Sequence, residues 1–176
     1  MKNIAFIILF ISSLSYSQGN FKYEENGLSP KFLVIKVDSL KQNQVFEKAM
    51  KWIKLNYKNP DEVIETSVEN EIIRFTGIEQ RVLSIGKSKK IDYDLKHTIS
   101  ISFKDGKYKF EPLNIMVKAS DFNYGWIPFD LNNGKMYFKK GKMIKKFDQY
   151  VIKIPEFLNN LSLEIKKTSE KTEDDW

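Results

Sequence analysis

The sequence predicts an α+β domain: a curved antiparallel sheet of about five strands with two helices packed on one face, in the chain order β-α-β-β-β-β-α. Three observations carry this. Residues 95–104 alternate strictly, with Leu95, His97, Ile99, Ile101 and Phe103 set between Lys96, Thr98, Ser100, Ser102 and Lys104, and Asp105-Gly106 then supplies a tight hairpin turn. Phe46, Ala49, Met50, Ile53 and Tyr57 recur at helical spacing. After Pro155, which suits a first helical turn, Phe157, Leu158, Leu161 and Ile165 do so again.

The chain opens with Lys2, an unbroken apolar run over residues 4–11, and the small residues Ser15 and Ser17 at the positions a signal peptidase reads. Residues 1–17 are therefore expected to be a signal peptide, cleaved near Ser17-Gln18, and the product to be periplasmic or secreted. The apolar run is shorter than the ~20 residues a spanning helix needs, so no transmembrane segment is expected in the mature chain. Cysteine is absent and histidine occurs once, as His97. This excludes disulfides, thiolate metal sites and a cysteine nucleophile, and neither a metal nor a cofactor is expected. Only Lys2 among the charged residues falls within 1–17, so the mature chain stays positively charged.

Residues 18–29 are polar and contain Asn26-Gly27, the composition of a flexible leader. The folded domain is expected to begin at residue 30. Residues 32–37 form its first strand, with Leu33, Ile35 and Val37 inward. Ser39 and Gln42 stand in capping-box relation at the head of the first helix, and Asn59-Pro60 ends it. The lysines at 48, 51, 54 and 58 lie largely off the apolar stripe and face water.

A two-residue Asn70-Glu71 turn would pair Val68 with Ile73, Thr66 with Phe75 and Ile64 with Gly77, placing Ile64, Val68, Ile73 and Phe75 on one face. Residues 78–94 contain the turn signal Gly86-Lys87-Ser88; they either extend the neighbouring strands or form a basic loop. Asp105-Gly106 pairs Phe103 with Tyr108 and Ile101 with Phe110, and Pro112 marks a bulge or edge. Residues 119–146 read as a loop with one short hairpin, 147–167 as the helix that completes the domain, and 168–176 as a charged, disordered tail. The core comprises Leu33, Ile35, Val37, Phe46, Met50, Ile53, Ile64, Val68, Phe75, Ile99, Ile101, Phe103 and Phe110, and the helix-free face is polar and rich in hydroxyls.

The signal segment, FEKAMKWI at residues 46–53, the hairpin that follows, and FKDGKYKF at 103–110 resemble an exported bacterial family, domain of unknown function 4468, over residues 30–118. The resemblance implies a TATA-binding-protein-like (TBP-like) fold and an exported location. It brings no established activity and no catalytic residues.

Chemistry is sparse. His97 with Asp92 or Asp94 is the one acid–base combination near in sequence, and it would serve a hydrolase-like enzyme. The alternation instead places His97 between Leu95 and Ile99 on the apolar face, where a satisfied core histidine is the simpler reading. Glu62, Glu65, Glu69, Glu71 and Glu79 read as a solvated face. Lysines cluster at 87, 89 and 90 and again at 139, 140, 142, 145 and 146. Trp126, with Tyr124 and Phe129, is either a ligand platform or a satellite core. The sequence therefore points to a non-enzymatic binding or structural module of the cell envelope. Its candidate contacts are Thr98, Ser100, Ser102, Lys139, Lys140, Lys142 and Trp126, and its partner an anionic envelope component or another exported protein. Nucleic acid is not expected, because the open strand offers no apolar wedge to insert between base steps.

Overall fold

The computed structural model describes residues 19–86, 90–121 and 125–170. Residues 1–17, expected to be a signal peptide, lie outside these, as do Lys87, Lys89, Tyr124 and residues 171–176. The architecture is α+β and mostly antiparallel. β1 (Lys22–Glu24) pairs with β2 (Gly27–Ser29). The main sheet is built from β3 (Leu33–Lys36), β4 (Ile64–Val68), β5 (Ile72–Ile85), β6 (Ile91–Lys104) and β7 (Lys107–Ala119), in the order β3-β7-β6-β5-β4. β8 (Ile127–Phe129) adds to β7, making six strands where about five were expected. Helices α1 (Gln42–Asn56) and α3 (Asp148–Glu170) cover one face, and α2 (Pro60–Val63) is a single turn before β4.

β6 is the central strand. Leu95, His97, Ile99, Ile101 and Phe103 are all buried toward the helices, as the alternation requires. The Asp105-Gly106 turn sets the expected register, Phe103 opposite Tyr108 and Ile101 opposite Phe110. Pro112 lies at a bulge: Ile99 faces Pro112 while Thr98 faces Asn114, so Leu113 is extra. The same turn organises α1. Asp105 Oδ1 accepts from the Gln42 N–H at 2.9 Å, and the Gln42 side-chain amide donates to the carbonyls of Asn70 and Phe103. The expected Ser39/Gln42 capping box does not form. The helix begins after Lys41, whose N–H donates to Gln44 Oε1 at 2.8 Å, and Ser39 sits at φ 70° instead.

Three other expectations are corrected, and one left open is decided. The β4–β5 turn takes three residues, with Asn70 at φ 61°, so Val68 pairs with Ile72 rather than Ile73. The one-residue slip carries Val68 to the outer face, 45% exposed, and a bulge between Ile64 and Thr66 sets Ile64 opposite Phe75 rather than the expected Gly77. Met50 and Ile64 are only partly buried against the core. Of the two readings of 78–94, the described residues take the extended one: 78–85 continue β5 and 91–94 begin β6, with a shift between Glu79 and Leu83 where Arg81 takes φ 56°. α3 starts at Asp148, before Pro155, and runs on to Glu170, so 168–170 are helical and Ser169 is buried. Pro155 is tolerated inside the helix because the turns on either side pack, through Ile154 and Leu158, into the core.

Of the expected flexible leader, residues 19–29 are described, and they are part of the folded domain. Phe21, Tyr23 and Leu28 are buried. The Asn159 amide clamps the Phe21 backbone from both sides, accepting its N–H at 2.8 Å and donating to its carbonyl at 3.1 Å. Tyr23 packs against Phe129 and Tyr137 in an aromatic cluster that continues through Phe147 and Tyr150. Segment 127–143 closes over this cluster, ending in the small hairpin β9 (Phe138–Lys139) and β10 (Lys142–Met143). Leu28 donates to Leu131 O, and Gly134 donates to Glu25 O.

Gly27 is a tight point of this seam: at φ +87°, a Cβ would stand 2.5 Å from Leu131 O, and one at Gly134 would come closer still to Glu24 O. Gly106 shares the left-handed backbone but faces open space. Gly106→Ala is therefore expected to cost about 1 kcal/mol and Gly27→Ala at least about 2 kcal/mol, read from denaturant midpoints. Equal losses would mean that the N-terminal hairpin is not part of the cooperative unit.

Candidate functional site

Two surfaces carry chemistry, one on each side of the sheet. On the helix-free face, Thr98, Ser100 and Ser102 do fall in one row, but they do not form an open hydroxyl surface. Ser100 is only 4% exposed, between cross-strand neighbours Arg74 and Glu111. Thr98 and Thr76 share a hydrogen bond of 2.6 Å, and Thr76 also donates to Glu65. Lys109 pairs with Glu111 at 2.6 Å. Arg74 holds its Nε buried with no partner among the described residues.

Around this polar centre the face is more apolar than its alternation implied. Phe32 is exposed just before β3, Val34 on it, Val68 on β4, Ile78 on β5 and Leu113 at the β7 bulge. Lys109 Nζ lies 5.4 Å from the Phe32 ring centroid. Trp126 is half-buried with Lys118 5.4 Å from its ring. Phe129 does not join it: that ring is buried in the aromatic cluster on the other side. Lys139, Lys140 and Lys142 are exposed on the β9–β10 hairpin, turned by Lys140 and Gly141 at positive φ. That hairpin is held to Tyr137 by the Ile144 N–H, and so belongs to the helix-bearing side rather than to the row at Thr98.

The second surface is a cleft of about 400 Å³ on the helix side. The end of α1 supplies Trp52, Asn56 and the following Tyr57. One stripe of α3 supplies Phe157, Asn160, Leu161 and Glu164, spaced i, i+3, i+4 and i+7 so that all four point the same way. β5 contributes Ile78 and Glu79, and β6 contributes His97.

His97 is 2% exposed, its Nε2 is hydrogen-bonded to the Tyr57 hydroxyl at 3.1 Å, and its ring lies between Phe75 and Phe157. Its Nδ1 is buried and has no partner among the described residues. Gly77 makes room for the pair, since a Cβ there would lie 2.6 Å from the Tyr57 hydroxyl. Burial pushes the His97 pKa down to about 4. Burial first, then the nearby carboxylates of Glu79 and Glu164, hold the Tyr57 phenol far above its usual range. Both groups are neutral at neutral pH.

The His97–Asp pairing does not form. Asp94 lies on the opposite face of β6 and accepts from Ser120 Oγ and the Arg81 N–H, and Asp92 falls on that same face. The sequence contained the α3 stripe, but its polar members were legible only as helix surface. Their partners come from segments some 60 to 110 residues earlier in the chain.

Unfolded histidine titrates near 6.5 and folded His97 near 4, so between these values the unfolded chain binds the proton that the folded chain refuses. Stability is therefore full above pH 6.5 and falls as pH drops toward 4, by about 3 kcal/mol from this residue. His97→Phe should remove that pH dependence, so the difference between the unfolding free energies of the two proteins should shift in the variant's favour as pH falls from 7 to 4. Parallel curves would show that His97 is not buried in the neutral form.

Comparison with known proteins agrees with this architecture. Residues 32–118 match the family model described as a domain of unknown function (DUF4468) with TBP-like fold. A DUF4468 family protein from Bacteroides ovatus superposes with a TM-score of 0.62 at 14% identity, covering 82% of this chain and 88% of that one. A TBP-like protein from Parabacteroides distasonis gives 0.60 at 15% identity, covering 81% and 92%. At these identities the likeness speaks for the fold alone. The search of curated proteins found no significant match.

Proposed function

Residues 32–118 belong to the DUF4468 family with its TBP-like fold, and from that premise we propose that the mature chain is an exported, non-enzymatic binding module whose helix-free sheet face receives another exported protein. The observation that carries this is the composition of that face. An arginine whose buried Nε has no partner among the described residues stands at its centre, an ion pair and a threonine pair lie beside it, and exposed Phe32, Val34, Val68 and Leu113 surround them. Arginine set among apolar side chains is the usual make-up of an energetic centre in protein–protein contacts. A carboxylate on the partner would satisfy Arg74 and gain from the low dielectric there.

The absence of enzymatic function is supported by the state of the one histidine. A base needs a pKa near the working pH, and His97 is held neutral and away from Asp92 and Asp94. Export is supported by Lys2, the apolar run and Ser15-Tyr16-Ser17. The fold's name describes its shape and brings no nucleic acid with it.

Two measurements test the reading. The protein recovered from the extracytoplasmic fraction should begin at Gln18; a cytoplasmic chain that retains residues 1–17 would overturn export. Photo-crosslinking side chains at Val34, Ile72 or Leu113 should yield one discrete protein adduct in the producing cell, lost with Arg74→Glu, while Leu55 on α1 should yield none. Adducts of equal strength from Leu55, or anionic-vesicle binding that depends on Lys139, Lys140 and Lys142 with no protein adduct, would sink it.

A further inference from the structure

The cleft between the end of α1 and the α3 stripe is a separate site from the open face, because it lies on the other side of the sheet. We propose that it binds a small organic cation, an alkylammonium group whose chain lies on the aromatic and aliphatic wall while its charge meets Glu79 and Glu164.

The charge pattern comes first. The chain carries a net charge of +6, yet this cleft presents two carboxylates and no lysine or arginine. Among the described residues neither Glu79 nor Glu164 has a salt-bridge or hydrogen-bond partner. Both nevertheless act on the same point, since each raises the Tyr57 phenol electrostatically. They come from β5 and α3, eighty-five positions apart, so their meeting is a product of the fold rather than of a local acidic run.

The wall comes second. Phe157, Tyr57 and Trp52 bring three aromatic rings to the cleft, with Leu161 beside them. Ring faces attract an ammonium through their quadrupole and bury its alkyl chain at the same time. The volume of about 400 Å³ is of the size that takes a small molecule rather than a side-chain-free water pocket.

Unsatisfied hydrogen-bonding groups come third. Asn56 gives its Nδ2 to the Trp52 carbonyl at 2.9 Å, which leaves its Oδ1 as an acceptor at the cleft. His97 lines the floor, and its buried Nδ1 has no partner among the described residues. A buried polar atom left without a partner costs free energy, so it marks a place where something polar belongs. A metal ion fits less well: no group of three or more metal-ligating side chains occurs among the described residues.

The test uses the mature chain from Gln18 and three probes of one shape: n-butylammonium, n-butanol and butyrate. Titration followed by the Trp52 indole and His97 ring resonances should saturate with n-butylammonium, with a Kd on the order of 1 mM for so small a ligand. Butanol and butyrate should bind at least tenfold more weakly. Glu79 and Glu164 are both exposed, so the Glu79→Gln, Glu164→Gln double variant should melt like the parent and yet lose at least tenfold in n-butylammonium affinity. Arg74→Glu should leave this binding unchanged, which separates the site from the open face. Equal binding of butanol would reduce the cleft to an apolar pocket. Tighter binding of butyrate, absence of saturation, or a double variant with parental affinity would overturn the proposal.

Discussion

Burial of one side of β6 is the constraint on which the rest of the molecule depends. Leu95, His97, Ile99, Ile101 and Phe103 are withdrawn from water in a single row, and each neighbour is placed by reference to it. β5 and β7 pair with β6 over most of its length and carry Ile73, Phe75, Tyr108, Phe110 and Ile115 to the same side. The two helices then have one apolar surface to cover. α1 meets it through Phe46 against Phe103, and Trp52 against Phe75. α3 meets it through Phe157 against His97, and through a hydrogen bond from the Tyr108 hydroxyl to Ser162 O. A side-chain period of two makes this arrangement all-or-none, because a slip of one residue would expose the whole row.

The bulges let this sheet be long and still close over its helices. Register shifts occur at Ile64/Thr66, at Glu79/Leu83 and at Thr98/Ile99, one in each of the pairings on the β4–β5–β6–β7 path. An extra residue bends its strand and raises the local twist. The bend also redirects side chains: Leu113 is turned outward at the β7 bulge, and the shift after Glu79 follows directly on the two β5 residues that border the cleft. Both candidate surfaces thus sit beside irregularities in an otherwise regular ladder.

The histidine illustrates how position overrides chemical type. In water an imidazole changes charge near neutral pH. Here, enclosed by Phe75 and Phe157 and bonded to Tyr57, it stays neutral. The group that looks most reactive on paper becomes part of a floor, and the charges that reach a ligand are those of Glu79 and Glu164 at the rim. The same holds on the opposite face, where the serine at 100 is covered and the arginine beside it becomes the distinctive donor.

The sequence by itself determined the fold class, the order of its principal elements, the hairpin at Asp105-Gly106 and the inward row of β6. All of these follow from local rules: side-chain periods of two and 3.6, and a turn that only certain residues make. It did not determine the β4–β5 register, since a turn of two and a turn of three residues suit Asn70 equally and only packing chooses between them. Nor did it reveal that Phe21, Tyr23 and Leu28 are core. Their partners, Asn159, Phe129, Tyr137 and Leu131, lie more than a hundred residues away, and a short polar stretch shows no period from which burial can be read. The cleft was hidden for the same reason: Tyr57, Glu79, His97 and Glu164 belong to four different elements. Their meeting is set by the angle at which α3 crosses the sheet, and that angle depends on every contact in the core at once.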